Sequence, residues 1–425
     1  MKKPLLTKQI AAWAAFDWAN SAFATTVMVV FFPVFFKQYW ASGMSETDST
    51  GWLGLTNAAS SFLLAVLAPW LGMLGDRGGA RLRFLLAFTA IGVGATAGLY
   101  FIGQGEALLA AVMFGLASIG FWGGIIFYDS LLIDVAPADR LDSVSGLGYA
   151  VGYLGGGILL AINVWMTLDP KFFGLADAAE AVRASFLTVA VWWALFAIPI
   201  FVFVREHKSL EPHAGSTLRD SFVQLAHMFR EIRSYRAVVV FLLAYWLYID
   251  GVNTIQKMAV AFGQDIGLDT SSLVQAILLV QFIGFPAALV FGAIGQRISP
   301  IVGLFICIGA YVLVTLYATV LDTRAEFFAM AAVTGCVQGG IQALSRSYYG
   351  RLIPADRAGT FYGFYNMMGK FAAVLGPLLM GLTSFITGDP RKSILSIVVL
   401  FLAGGAMLAW AARTAEQPQP VQSLS

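Results

Sequence analysis

Trp13, Asp17, Asn20 and Ser21 are spaced W-x3-D-x2-N-S, and 233 positions later Trp246, Asp250, Asn253 and Thr254 repeat the pattern as W-x3-D-x2-N-T. On helices these spacings gather Trp13, Asp17, Asn20, Ala24 and Met28 on one stripe, and Trp246, Asp250, Asn253 and Lys257 on another. A carboxylate so placed can hold an ammonium group or a proton. An amide offers both donor and acceptor, and an indole supplies an apolar or cation-binding wall. Asp129 and Lys370 stand inside equally apolar runs. A charge at the centre of such a run costs at least about 2.5–3.5 kcal/mol unless it faces a cavity or a partner. Trp13, Asp17, Asn20, Asp129, Trp246, Asp250, Asn253 and Lys370 are therefore the expected solute- or proton-binding groups. Lys370 has a competing reading, a buried ion pair with an Asp across the bundle. Asp250 and Lys257 are two turns apart, too far for direct contact.

Other polar residues carry weaker signals. Gln338 and Gln342, one turn apart, read as interhelical hydrogen-bonding groups, and Tyr128 accompanies Asp129. Arg346 and Asp134 fall near the ends of their runs, where gate contacts or snorkelling account for them. Tyr149, Tyr153 and Asn366 are further lining candidates.

The elements that position these groups follow from composition. Of 425 residues, 59% are hydrophobic and 12% charged, against about 45–50% and 25% in soluble domains. So much apolar surface requires the bilayer as solvent. Runs long enough to cross its roughly 30 Å core occur near 10–36, 51–74, 83–103, 107–130, 143–167 and 184–204. They resume near 236–262, 271–294, 301–321, 326–349, 358–386 and 393–412. The expected fold is an all-α membrane protein of twelve transmembrane helices, arranged as two parallel-repeat six-helix bundles. The first run is too long and too polar, with Asp17 and Asn20, for a cleaved signal peptide.

The net charge of +2 gives no reason to expect a nucleic-acid partner. Cys307 and Cys336 have no disulfide or metal spacing, and His207, His213 and His227 cluster in a polar stretch away from the runs. No metal or other cofactor is expected.

Residues 1–204 are read as the N-terminal bundle, 205–235 as a linker, 236–413 as the C-terminal bundle and 414–425 as a disordered tail. In the linker, Leu218, Phe222, Leu225, Phe229 and Ile232 recur at helical spacing while Arg219, Arg230 and Arg233 take other faces. That pattern suits an amphipathic helix on an anionic membrane surface. With the N-terminus inside, 18 of the 26 Lys and Arg residues fall on the inner side and 6 on the outer. Lys257 and Lys370 make up the rest, within spans. The bias places both termini in the cytoplasm of a cell (inner) membrane protein.

Two further motifs recur in the same order. Pro137-Ala138-Asp139-Arg140 returns as Pro354-Ala355-Asp356-Arg357, and Gly72 to Arg77 is echoed by Gly292 to Arg297. Six spans separate each pair, so matching elements point the same way through the membrane. This resembles the two halves of major facilitator transporters, which rock around a site at their interface.

Gly72-x3-Asp76-Arg77-x-Gly79-x-Arg81 is similar to that superfamily's signature between spans two and three, with Ala80 in place of a usual basic residue. The resemblance implies that Gly72, Asp76, Arg77, Gly79 and Arg81 form a gate motif touching the opposite half at the inner face. The glycines permit a tight turn, and Asp and Arg side chains can pair across a helix end. Within the superfamily, Asp17 to Thr26 resembles the first-span signature of the vacuole effluxer branch, which includes fungal autophagy-linked amino-acid exporters and bacterial members. The chain lacks the large fungal loops and looks like a bacterial relative.

The resulting expectation is a secondary active transporter of a small solute, an amino acid or similar zwitterion, working by alternating access. Protons or another ion are candidate coupling partners, membrane lipids surround it, and a single chain holds the pathway. Export of drugs or other metabolites is the alternative within the class; a non-transporting sensor or lipid-handling protein is the alternative outside it. There is no Walker lysine pattern and no catalytic constellation, so neither ATP hydrolysis nor enzymatic chemistry is expected. Gly148, Gly152 and Gly156 on the fifth span, with Gly363, Gly369 and Ala373 on the eleventh, read as close-packing stripes.

Overall fold

In hydrocarbon every backbone N–H and C=O must find an internal partner, so each apolar run closes into a helix. The structure is a computed structural model that describes residues 6–77, 79–206, 230, 232–265, 267–372, 374–387 and 393–415. Among the described residues, twelve helices are long and apolar enough to cross a membrane. The first six are α1 (Lys8–Trp40), α2 (Glu46–Asp76), α3 (Arg81–Phe101), α4 (Ala107–Val135), α5 (Ala138–Leu168) and α6 (Ala178–Phe203). The second six are α7 (Arg236–Ala259), α8 (Thr270–Arg297), α9 (Pro300–Ala318), α10 (Arg324–Leu352), α11 (Ala355–Thr387) and α12 (Ser396–Ala415). Short polar side chains set several starts. Thr7, Ser45, Asp177, Asp269 and Ser299 each accept a first-turn N–H, and Thr323 forms a reciprocal capping box with Glu326, so the orphan donors of those turns are satisfied.

Two spans depart from plain helix. α1 widens into π-helical turns at Phe23–Phe31 and Phe36–Trp40. α11, expected as one run, is broken: it consists of Ala358–Phe371 and Leu375–Thr387. Pro377 near the start of the second piece fits this break, because proline has no N–H to bond back to the preceding turn and suits the first turn of a helix. The proposed linker helix lies outside the described residues apart from Arg230 and Ile232 to Tyr235. The tail is likewise outside them beyond Ala415, and Thr414 and Ala415 belong to α12.

The repeated Ala-Asp-Arg triplets form the same short 3-10 turn, at Ala138–Arg140 and at Ala355–Arg357. Within the first six helices α1 packs on α5 and α3 on α4; within the second, α7 packs on α12 and α9 on α10. Between the sixes, α2 lies along α11 and α5 along α8. These two seams are built from glycine. A Cβ on Gly72 would collide with the Gly359 carbonyl, one on Gly363 with that of Ala68, and one on Gly146 would stand 2.8 Å from the Ala288 carbonyl. Both seams are tight at the end that carries the α2–α3 loop. Large apolar side chains such as Phe62, Leu195, Leu313 and Val399 point outward, as a lipid-facing surface requires.

Candidate functional site

Arg346, on α10, is 1% exposed and reaches from the second six helices into the first. Its Nη1 lies 3.1 Å from Asp129 Oδ1 on α4, and its Nη2 lies 3.6 Å from Asp17 Oδ2 on α1. Nε donates to Ser145 Oγ at 3.0 Å and Nη2 to the Ser145 carbonyl at 3.1 Å. The guanidinium lies 4.4, 4.8 and 5.4 Å from the ring centroids of Tyr149, Trp13 and Tyr128, a cation–π enclosure. Arg346 therefore does not snorkel. Its planar five-donor fork serves two carboxylates, a hydroxyl and a backbone carbonyl at once, one acceptor more than a lysine has N–H donors.

The partners are themselves held. Tyr128 Oη donates to Asp17 Oδ2 at 2.7 Å, and Trp13, stacked on Tyr128 at 4.6 Å, donates Nε1 to the Tyr128 carbonyl. Asn366, on α11, donates Nδ2 to Asp129 Oδ2 at 3.2 Å. Gly148 lets α5 come this close: a Cβ there would stand 2.7 Å from Asp17 Oδ2, 2.8 Å from Trp13 and 3.1 Å from Arg346 Nη2. The cluster so holds one guanidinium and two carboxylates, drawn from both halves.

The matching motif on α7 has different work. Asp250, fully buried, accepts from the backbone N–H groups of Val374, Leu375 and Gly376 at 3.3, 3.0 and 2.8 Å, and from Thr254 Oγ1 at 3.3 Å. Asn253 donates Nδ2 to the Ala372 carbonyl at 2.5 Å. These two side chains supply partners for the backbone groups freed by the break in α11. Thr254 and Asp250 face Gly376 as Ser21 and Asp17 face Gly152 and Gly148. The register of the repeat is shared while the chemistry is not. Trp13, Asp17 and Asp129 are brought together; Asp250 and Asn253 stand at the α11 break instead. Asn20 Nδ2 and Trp246 Nε1 are buried donors with no partner among the described residues.

Lys370 forms no ion pair with a described carboxylate. The competing reading, a cross-bundle ion pair with an Asp, finds no such pair among the described residues: Arg346 and Asn366 occupy Asp129, and Arg346 and Tyr128 occupy Asp17. Lys370 Nζ instead lies over the Trp122 ring, 2.6 Å from its centroid.

A second set of contacts closes the end bearing the α2–α3 loop. Asp76 accepts from Gly359 N, Thr360 N and Thr360 Oγ1 at 2.8, 2.7 and 2.8 Å, joining α2 to the start of α11. Arg81 is 2% exposed and lies 3.0 Å from Asp134, 3.9 Å from Asp76 and 3.8 Å from Glu206. Arg77 Nη2 reaches Met73 Sδ at 3.9 Å. Gly79 has φ +69°, a backbone that favours glycine. Burial pushes the Glu206 carboxyl above its ordinary range, an effect that the nearby Arg81 opposes. At the other seam Asp142 accepts from Ser347 Oγ at 2.6 Å and pairs with Arg351 at 2.5 Å, and Gln296 Nε2 donates to the Asp139 carbonyl. The α8 residue that stands where α2 has Asp76 thus also ties the halves.

Sequence reasoning placed Arg346 with the snorkelling residues because it is near a span end. The signal that marks it is periodic: Gln338, Gln342 and Arg346 succeed one another every four residues, so Arg346 continues a polar stripe into the interior. Ser145, Asp142 and Ser347 gave no signal, since small polar residues in a glycine-rich helix read as packing.

Twelve spans, paired seams and a buried charge cluster between the halves define a major facilitator transporter, not an enzyme. Among solved structures, the chain is similar to the human organic anion transporter MFSD10 (TM-score 0.70, 16% identity, 94% of this chain and 99% of that one). It is also similar to the major facilitator transporter FucP in the outward conformation (TM-score 0.69, 12% identity, 95% and 98%). More narrowly, residues 39–417 match the family described as "Vacuole effluxer Atg22 like", and the chain belongs to that family. It is 38% identical over 408 residues, 95% of each chain, to the uncharacterized MFS-type transporter YxiO of Bacillus subtilis (strain 168). It is 28% identical over 289 residues, 61% of this chain and 48% of that one, to autophagy-related protein 22 of Yarrowia lipolytica (strain CLIB 122 / E 150).

Proposed function

We propose that this transporter is a secondary active carrier working by alternating access, with residues 1–204 and 236–413 as the two rocking halves. It lies in a cell membrane with both termini in the cytoplasm, and one chain contains the whole pathway. Its cargo is a small zwitterion, with amino acids the specific choice; the vacuole-effluxer family and the charged interior both favour this.

The observation that carries the reading is the Arg346 bridge to Asp17 and Asp129. It joins the halves about 9 Å in from the end of α10, on the same side as the Asp76 and Asp142 ties. The described contacts thus suit a state closed toward the cytoplasm. Opening that side withdraws Arg346 from both carboxylates. Two carboxylates left in a poorly solvated interior must gain a positive charge, either a proton or a cargo ammonium group. Charge balance in the cluster thereby links seam opening to the binding of a cation, which is what coupling requires.

Flux of radiolabelled amino acids into proteoliposomes, with and without an imposed proton gradient, tests the reading. Gradient-dependent accumulation that Asp17→Asn and Asp129→Asn each abolish is the expected result. Accumulation of no amino acid, or accumulation indifferent to both substitutions, contradicts it.

A further inference from the structure

The carboxylates of the interior are already served. Asp17, Asp129 and Asp250 accept from Tyr128, Arg346, Asn366, Thr254 and three backbone N–H groups. The groups left over are donors. Lys370 has no hydrogen-bond or ion-pair partner among the described residues, and Asn20 Nδ2 and Trp246 Nε1 are buried without one. Lys370 is half-buried, whereas Asp17, Asp129 and Asp250 are buried. Its electrostatic neighbour is a second lysine, Lys257 on α7. Two lysines from two spans, with no described carboxylate paired to Lys370, repel each other when both are charged, unless an anion joins them.

Position adds to chemistry. Lys370 is one turn beyond Asn366 on α11, about 6 Å further from the closed end, and Trp122 is about 10 Å beyond Asp129 on α4. Lys370 and Trp122 therefore meet in the layer directly above the Arg346 cluster, one from each half. Lys370 also stands in the last turn of the first piece of α11, next to the break at which Asp250 and Asn253 bond the backbone. A helix C-terminus favours a lysine, yet that effect alone places no aromatic wall from the other half over the ammonium group.

We infer that Lys370, assisted by Lys257 and walled by Trp122, is the docking point for an anionic group of the cargo, in first place a carboxylate. The inference rests on the transporter reading and sharpens it: the cargo must carry a negative charge, and a cargo ammonium group is directed toward the Asp17–Asp129 layer below. A zwitterion whose ammonium and carboxylate groups are bonded to one carbon satisfies the two layers together.

The test uses the purified full chain. Tryptophan emission is followed while each of the twenty proteinogenic L-amino acids is added, and each responding acid is compared with its α-carboxamide. The carboxamide keeps the side chain and ammonium group but removes the anion. At least one acid should bind, its carboxamide about tenfold or more weakly. Lys370→Gln should lower the acid to the level of its carboxamide, and Lys370→Arg should retain most of the preference. Lys257→Gln should weaken the acid less than Lys370→Gln does. Thermal melting checks that each variant is folded. No response to any acid, equal binding of acid and carboxamide, or an undiminished preference in folded Lys370→Gln would each overturn the inference. Vesicle flux separates the two levels. A solute moved equally well by wild type and Lys370→Gln leaves the carrier standing and removes the anion site. Binding with the expected preference but no flux keeps the site and removes the carrier.

Discussion

Arg346 Nη1 lies 3.1 Å from Asp129 Oδ1, so one ion pair fastens α10 of the second six helices to α4 of the first. The guanidinium also reaches Asp17 and Ser145, and no other side chain described here ties α1, α4 and α5 to α10 at one point.

Replacing Arg346 by Gln should be costly, because two buried carboxylates lose their shared cation. Removing one partner of a buried pair costs about 3–5 kcal/mol, and thermal melting in detergent should show a matching loss. The triple variant Asp17→Asn, Asp129→Asn, Arg346→Gln should regain much of that stability, since no uncompensated charge remains. It should still fail to accumulate solute in vesicles.

Gly148→Ala should push α5 away from α1. The new methyl meets Asp17, Trp13 and Arg346 within 3.1 Å, and overpacking of this kind costs about 1–3 kcal/mol. Gly54→Ala, whose Cβ would meet nothing within 4 Å, should be neutral or slightly stabilising in the same melting assay.

Asp250→Ala should act on structure before binding. Three N–H groups of the α11 break lose their acceptor, and loss of a helix-start cap costs about 0.5–2 kcal/mol. Hydrogen exchange at Leu375 and Gly376 should rise in this variant while exchange around Asp17 stays unchanged. Equal protection at the break in wild type and variant would show that the carboxylate does not hold it.

How much of this was legible in the sequence depends on what carried the signal. The spans were, because hydropathy over twenty residues survives any packing arrangement. The Trp13–Asp17 stripe was too, since an acidic residue inside an apolar run is conspicuous. The partner of Asp17 was not: Arg346 is separated from it by more than three hundred residues, and distance along the chain hides contacts made across a seam. The break in α11 was hidden for a different reason. Asp250 and Asn253 read as a copy of Asp17 and Asn20, and only the three-dimensional position of Leu375 and Gly376 reveals that the copy holds a backbone.

Glu206 gives a pH prediction outside the spans. Its folded-state carboxyl holds a proton more tightly than an ordinary glutamate, so the folded chain binds more protons there than the unfolded chain. Stability should therefore fall as pH rises through the upper part of the carboxylate range. The difference between wild type and Glu206→Gln, followed by melting at stepped pH, should show that slope, because glutamine has nothing to titrate. A difference that is flat with pH, or that rises, would contradict the assignment.

The most direct test of the rocking seam is a pair of distances measured by electron–electron spin resonance in liposomes. With Cys307 and Cys336 replaced, nitroxides at Asp139 and Ile298 report on the end closed by Asp76, Asp142 and Arg346. Nitroxides at Met44 and Asp322 report on the opposite end. In the Arg346→Gln background the Asp139–Ile298 distance should lengthen while the Met44–Asp322 distance shortens. Two distances that stay as they are in wild type, or that lengthen together, would contradict the account.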